Sequence, residues 1–364
     1  MADTLFETMT RELAFDGRPA KLVKLQNKNG MSVTLMDIGA TWLSCIIPVA
    51  EEWREVLLGV STMADFKKHS TYMGATVGRY ANRIAQGQFE IDGEHYQVET
   101  NQAGNTLHGG PEGFDKRRWE IAQENENSVE FSLISADGDQ GFPGELQVSV
   151  RYQLSDDNQV VISYYATTDK ATPVNLTNHA YFNLSGAESG TDCRDHTLYI
   201  NADSYLPTND LGIPIDGPVP VEANSFDFRQ PKVIASEFLS DAQQQAAKGY
   251  DHAYLLNTNY RRGECAAQLC SADQRITLEV FTDKPAMQLY TGNWLAGTPK
   301  RSGGEYMDYA GIALETQFLP DAPNHPEWQH PCSILQTDKK YVYQTTYQFI
   351  VNDKNNRPFL PTFR

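Results

Sequence analysis

The chain has 364 residues, of which 40% are hydrophobic, 11% aromatic and 21% charged, a composition ordinary for a soluble protein able to bury a sizeable core. The 47 acidic residues against 30 basic ones leave a formal charge of −17, which repels polyanions and argues against DNA, RNA or an anionic membrane as partner. Strongly anionic substrates are disfavoured on the same ground. No stretch approaches the roughly 20 apolar residues that span a bilayer, and the start lacks the basic segment and apolar run of a secretory signal. The five cysteines, Cys45, Cys193, Cys265, Cys270 and Cys332, are odd in number and never spaced Cys-x-x-Cys, so free thiols in a reducing, cytoplasmic setting are expected. The length exceeds that of a usual domain, but large all-β folds run long, and one domain over 1–364 is expected.

In chain order, residues 31–36 alternate as a strand and 61–68 carry a short helical signal. Within Gly78-Arg-Tyr-Ala-Asn-Arg-Ile84, Asn82 and Arg83 stand between small and apolar neighbours. If buried, the guanidinium needs a partner, either a structural ion pair or a ligand. Residues 88–92 form a strand that turns at Asp92-Gly93. In Asn105-Thr-Leu-His-Gly-Gly110 the glycine pair permits a sharp turn that holds His108 at a rim, as a turn residue or as a site residue. Strands follow at 129–133, 145–152 and 160–165. Asp137-Gly-Asp139 looks like the start of a calcium loop, but the pattern then sets Gly141 and Val148 where oxygen ligands belong, so no metal is assigned.

Residues 173–184, Pro-Val-Asn-Leu-Thr-Asn-His-Ala-Tyr-Phe-Asn-Leu, read as one long strand with two characters. Val174, Leu176, Ala180, Phe182 and Leu184 share one face; Asn175, Thr177, His179, Tyr181 and Asn183 share the other. That second row carries amides, hydroxyls and an imidazole but no formal charge. It suits either an uncharged, hydroxylated ligand or hydrogen bonds within the protein. A helix is expected over 234–248, stopped by Gly249. Asp251 follows in Gly249-Tyr-Asp-His252, as a surface carboxylate or a site group. Strands resume at 276–281, 287–291, 312–318 and 341–350. Alternation sets Gln288 with Tyr290, and Glu315 with Ala313 and Gln317, opposite apolar partners. A carboxylate in so apolar a strand, unless paired, has its pKa pushed up towards the range of a general base; the alternative is a structural ion-pair network. The proline-dense run 318–331 excludes a helix or interior strand and predicts an ordered loop that wraps the surface or rims a site. Many strands and few short helices predict an all-β, β-sandwich or barrel-like architecture. P-loop, Rossmann, zinc-helix and nucleophile-elbow signatures are missing.

Taken together and in this order, residues 78–84, 105–115, 173–184, 249–252 and 314–321 resemble the aldose 1-epimerases, or galactose mutarotases. The likeness runs from about residue 21 to 349, and Gly109-Gly-Pro-Glu-Gly-Phe-Asp-Lys-Arg-Arg-Trp119 is especially similar to the enterobacterial type. The resemblance implies a large antiparallel β-sandwich, a supersandwich, with a free aldohexose such as galactose or glucose in an open groove and no metal or organic cofactor. It implies Glu315 as general base and His179 as general acid, with sugar hydroxyls held by Asn82, Arg83, His108, Asp251 and Gln288, and by Tyr290 through extrapolation. A monomer or homodimer is expected. On this reading an ionised Glu315 and a protonated His179 open the ring together. A hexose-6-phosphate epimerase, a glycoside hydrolase using Asp251 with Glu315, and a non-catalytic carbohydrate-binding protein are the competing readings.

Overall fold

Runs of alternating β-branched and aromatic residues form strands because their side chains pack on a pleated, half-buried surface. In the computed structural model, which describes residues 2–257, 263–328 and 331–352, these strands assemble into antiparallel sheets around a shared core. The largest sheet has nine strands, in the order Glu120–Asn125, Ser128–Ser135, Leu146–Leu154, Gln159–Thr168, Tyr341–Val351, Ile276–Thr282, Ala267–Cys270, Thr197–Ile200 and Lys232–Val233. A six-stranded sheet runs Tyr181–Phe182, Ile312–Gln317, Ala286–Tyr290, Asp251–Leu255, Ser204–Tyr205 and Val219–Pro220. Val150, Ile162, Leu278 and Tyr347 of the first sheet meet Phe182, Leu289, Leu314 and Tyr254 of the second in one apolar cluster. A four-stranded sheet from Leu22–Gln26 to Glu52–Glu55 adds Val33, Leu35, Trp42 and Ile47 to it. Among the described residues the α-helices are Ala2–Arg11, Met63–Lys68 and Ala242–Ala247. The all-β sandwich with few short helices is therefore as the sequence implied.

Three local expectations need correction. Residues 173–184 do not form one strand. Thr172–Pro173 pairs with Ile334–Leu335, Thr177–Asn178 with Thr76–Val77, and Tyr181–Phe182 with the start of Ile312–Gln317. The segment passes between layers and changes partner twice, so both its faces are buried. Its apolar row does enter the core as alternation required. Its polar row is largely spent on the protein: Asn175 donates to the Ala81 and Phe318 carbonyls, and Asn183 to those of Thr191 and Ala310. These side chains supply the backbone bonds that a continuous ladder would have supplied.

The helix expected over 234–248 is two elements, a 3₁₀ turn at Ile234–Glu237 and the helix Ala242–Ala247. Between them Leu239 adopts a left-handed backbone, and Asp241 restarts the helix by accepting from the Gln244 N–H. The left-handed stop falls on Lys248 rather than Gly249. The helix Ala2–Arg11 lay outside the expected elements. The proline-dense loop is ordered by a turn at Ala322–Asn324 and buttresses the arginine motif: Asp321 N donates to Arg83 O at 2.8 Å and Asn324 Nδ2 to Gln88 O at 2.8 Å. Its residues 329 and 330 lie outside the described residues.

Lys284 ties the layers together beneath the site. Fully buried, its ammonium donates to the carbonyls of Leu176 and Thr316 and lies 3.8 Å from the centroid of the Tyr164 ring. Desolvation lowers its pKa from 10.5 to about 7. Between those values the unfolded chain holds a proton that the folded chain has released, so this group makes stability rise with pH. Urea unfolding of wild type and Lys284→Met should show the wild type gaining relative stability from pH 7 to pH 10; a constant difference would contradict the assignment.

Candidate active site

Strand register gathers distant residues onto one face. Asp251 lies opposite Tyr290, Tyr290 opposite Ala313, and Ala313 opposite Tyr181. One pleat further along, Ala253, Gln288 and Glu315 form the next row. Partners in register point to the same side, so the alternation read at Gln288, Tyr290 and Glu315 holds. His179, two residues before Tyr181, approaches from the crossing segment. The short pairing of Arg83–Ile84 with Thr106–Leu107 brings up Asn82, Arg83 and His108. Gly109 is needed there, because a Cβ would meet the Gly78 carbonyl oxygen at 2.0 Å.

The result is a cavity of about 330 Å³ lined by Asn82, Arg83, His108, His179, Asp251, Tyr290 and Glu315 among others. Of the residues singled out in the sequence, Gln288 stands one layer deeper. It is buried, its Nε2 donates to Asp251 Oδ1 at 2.8 Å, and its Oε1 accepts from Gln317 Nε2. Tyr72, Gln102, Tyr181 and Trp294 also line the cavity and were not assigned to it from sequence. Only Tyr181 carried a usable signal, through its place in the polar row beside His179. Tyr72 and Gln102 come from irregular segments, where no period tells which way a side chain points.

His179 Nε2 and Glu315 Oε1 are 3.4 Å apart, and their side chains are only 5% and 3% exposed. Burial lowers His179 from 6.5 to about 4. Burial, reinforced by the Asp251 charge and opposed by Arg83, holds Glu315 well above the usual carboxylate range. Burial thus favours a carboxylic acid beside a neutral imidazole over the ionised pair. The two forms differ only in where one proton sits. Among the described residues neither His179 Nδ1 nor Glu315 Oε2, both buried, has a hydrogen-bond partner.

His108 is fixed differently. Its Nδ1 accepts from the Asn82 N–H at 2.9 Å, and the His108 backbone N–H donates to the Asn82 carbonyl at 3.0 Å. The remaining ring proton must therefore sit on Nε2. Burial, then the neighbouring His179 and Arg83, hold its pKa well below 6.5. The donor atoms of His108, His179 and Glu315 all fall within 4.8 Å of one another, close enough to suggest a metal triad. The tautomer opposes that reading, because a ligating histidine keeps one ring nitrogen unprotonated for the metal and donates from the other. Arg83 donates Nε–H to Gln102 Oε1 at 2.7 Å and sits 3.7 Å from Asp251 Oδ2. Gly212 lies flat against it, since a Cβ there would be 2.6 Å from Arg83 Cζ.

An antiparallel β-sandwich that sets a buried imidazole beside a buried carboxyl in a polar cavity of about 330 Å³ is the class that fold and site define. Comparison with known proteins agrees. Residues 21–348 match the family described as aldose 1-epimerase. The chain is 52% identical to the aldose 1-epimerase of Escherichia coli over 342 residues, covering 94% of this chain and 98% of that one. It is 53% identical to that of Haemophilus influenzae over 334 residues, covering 92% and 97%. The solved aldose epimerase homologue from C. elegans matches with a TM-score of 0.83 at 29% identity, over 92% of this chain and 100% of the other. The chain belongs to the aldose 1-epimerase family and is an isomerase acting on sugars. No helix among the described residues is long and apolar enough to cross a membrane.

The bonding of His108 is open to a direct check. Nitrogen-15 NMR should find its Nε2 protonated and Nδ1 unprotonated from pH 5.5 to 8, with no titration near 6.5. An imidazole that titrates in the ordinary range would contradict the assigned tautomer and charge.

Proposed function

We propose that this chain interconverts the α and β anomers of free aldohexoses such as galactose and glucose, with Glu315 as base and His179 as acid. One observation carries the reading: the two groups stand 3.4 Å apart in the cavity, and each has a buried polar atom without a protein partner. The hydroxyl and ring oxygens of a hemiacetal are bonded to the same carbon, so a base and an acid this close reach both from one side.

Ring opening then moves two protons. Glu315 takes the C1 hydroxyl proton while His179 gives its Nε2 proton to the ring oxygen, and the C1–O5 bond breaks as the carbonyl forms. Rotation about C1–C2 presents the other carbonyl face. Return of the proton from Glu315 to the carbonyl oxygen, and of the O5 proton to His179, closes the opposite anomer. Throughout the cycle the pair holds a single proton in total. Its neutral form, which burial favours, is the one reached when the ring is open, so desolvation lowers the middle of the path relative to its ends.

The other groups suit orientation rather than proton transfer. His108 offers a neutral Nε2–H, Arg83 and Asp251 offer charge-assisted bonds, Asn82 and Tyr290 flank them, and Gln288 holds Asp251. Among the described cavity-lining residues Arg83 is the one Lys or Arg, and it is already engaged by Gln102 and Asp251. That favours an unphosphorylated sugar over a hexose 6-phosphate. The five cysteines are all unpaired, which supports a reducing, cytoplasmic setting.

Polarimetry of freshly dissolved α-D-galactose and α-D-glucose tests the assignment. Glu315→Gln and His179→Asn should each lower kcat by about 10²–10⁴-fold with far smaller changes in KM; a near-normal rate in Glu315→Gln would remove it as base. Burial penalises both the doubly protonated pair, charged +1, and the fully deprotonated pair, charged −1. Protonation on the acid side is therefore pushed to lower pH and deprotonation on the alkaline side to higher pH. The kcat/KM profile should be bell-shaped, with a plateau wider than the roughly two units that separate an ordinary glutamate from an ordinary histidine. A narrower bell would show that the pair is not desolvated during catalysis.

A further inference from the structure

A histidine that transfers protons must be held with one nitrogen aimed at the reacting atom, and the usual device is a hydrogen bond from its other nitrogen to a carboxylate or carbonyl. His179 has none of good geometry among the described residues: Nδ1 is buried without a bonded partner, and only the closeness of its own backbone works against burial there. Aromatic rings surround it instead. Tyr181 stacks on the imidazole with centroids 4.8 Å apart and planes at 28°, and Tyr72 stacks at 5.9 Å and 17°. The edges are met by His108 at 5.3 Å and 83°, and by Tyr290 at 6.4 Å and 90°.

We propose that Tyr181 and Tyr72 are positioning residues which hold the His179 imidazole by ring stacking, in the role that a hydrogen bond to Nδ1 would otherwise fill. The proposal rests on His179 being the acid. Both rings are themselves anchored. Tyr181 is fully buried, paired in register with Ala313, and braced by an edge contact to Tyr290 at 6.0 Å. Tyr72 sits on a left-handed backbone, half-buried, with its ring against His108 at 4.7 Å and 70°.

Stacking restrains the plane of the imidazole while leaving its protonation free. A carboxylate on Nδ1 would fix a proton there and raise the pKa, stabilising the imidazolium that must surrender its proton to the ring oxygen. Stacked tyrosine faces favour a transient positive charge more weakly. They therefore suit a group that alternates between charged and neutral once per half-cycle.

The test compares ring-preserving with ring-removing variants of the full chain, by polarimetric kcat and KM for galactose. Tyr181→Phe and Tyr72→Phe should keep kcat within about threefold, whereas Tyr181→Leu and Tyr72→Leu should lower it about tenfold or more while KM moves less than about threefold. Leu variants that match their Phe counterparts, or that lose activity through KM, would overturn the proposal. If Tyr181→Leu does not fold, the half-buried Tyr72 pair decides alone. A readout independent of activity is the proton NMR signal of the His179 ring, which should move downfield when a shielding tyrosine ring is removed; an unmoved signal overturns the stacking. His179→Asn separates the two readings. If it retains the rate, the acid assignment falls; if it is slow while both Leu variants are fast, the stacking role alone falls.

Discussion

A carboxyl and an imidazole sealed from water 3.4 Å apart impose a condition that the surrounding structure has to meet. In a low-dielectric site a net charge on the pair is disfavoured, so burial favours one proton held between the two groups. Everything near them respects that condition. His108 is kept neutral chiefly by burial, and its Nδ1 accepts from the Asn82 N–H. Asp251 is balanced by Arg83 and by the Gln288 amide, and Arg83 by Gln102. The cavity thus offers hydrogen-bonding groups in fixed orientation with their charges already compensated, which suits a neutral, polyhydroxylated ligand.

Precision in such a site comes from its supports. Glu315, Gln288 and Asp251 ride on adjacent antiparallel strands whose register leaves their side chains no choice of face. His179 does not have that advantage, because its segment runs between layers and pairs with three partners in turn. Its position is secured by the Asn175 and Asn183 amides to either side and by the aromatic rings around it. Lys284, bonded to the carbonyls of Leu176 and Thr316, links the backbone that carries His179 to the backbone that carries Glu315.

The legible and illegible parts of the sequence divide on this same line. Where a strand packs one face on the core, as in Leu146–Leu154 or Gln159–Thr168, a period of two is visible and the orientation of each residue follows. Where a segment is buried on all sides, hydrophobic and polar positions still alternate at 173–184, yet the alternation says nothing of which sheet each pair joins. The helix expected over 234–248 failed for a local reason: Asp241 is a good cap, but a continuous apolar pattern hid the left-handed break at Leu239 two residues earlier. Tyr72 and Gln102 were missed because irregular backbone has no period to read.

By itself the sequence determined the all-β class, the residues of the core face and, through the order of its motifs, the family and the set of polar groups from which a site could be built. These depend on composition and on neighbours a few positions apart, which a linear reading contains. Only the tertiary structure decided which of those groups meet, that Gln288 bonds to Asp251, that His108 must carry its proton on Nε2, and that burial lowers the pKa of His179 while raising that of Glu315. Those depend on distances between residues far apart in the chain and on the removal of water from between them, and neither exists until the layers have packed.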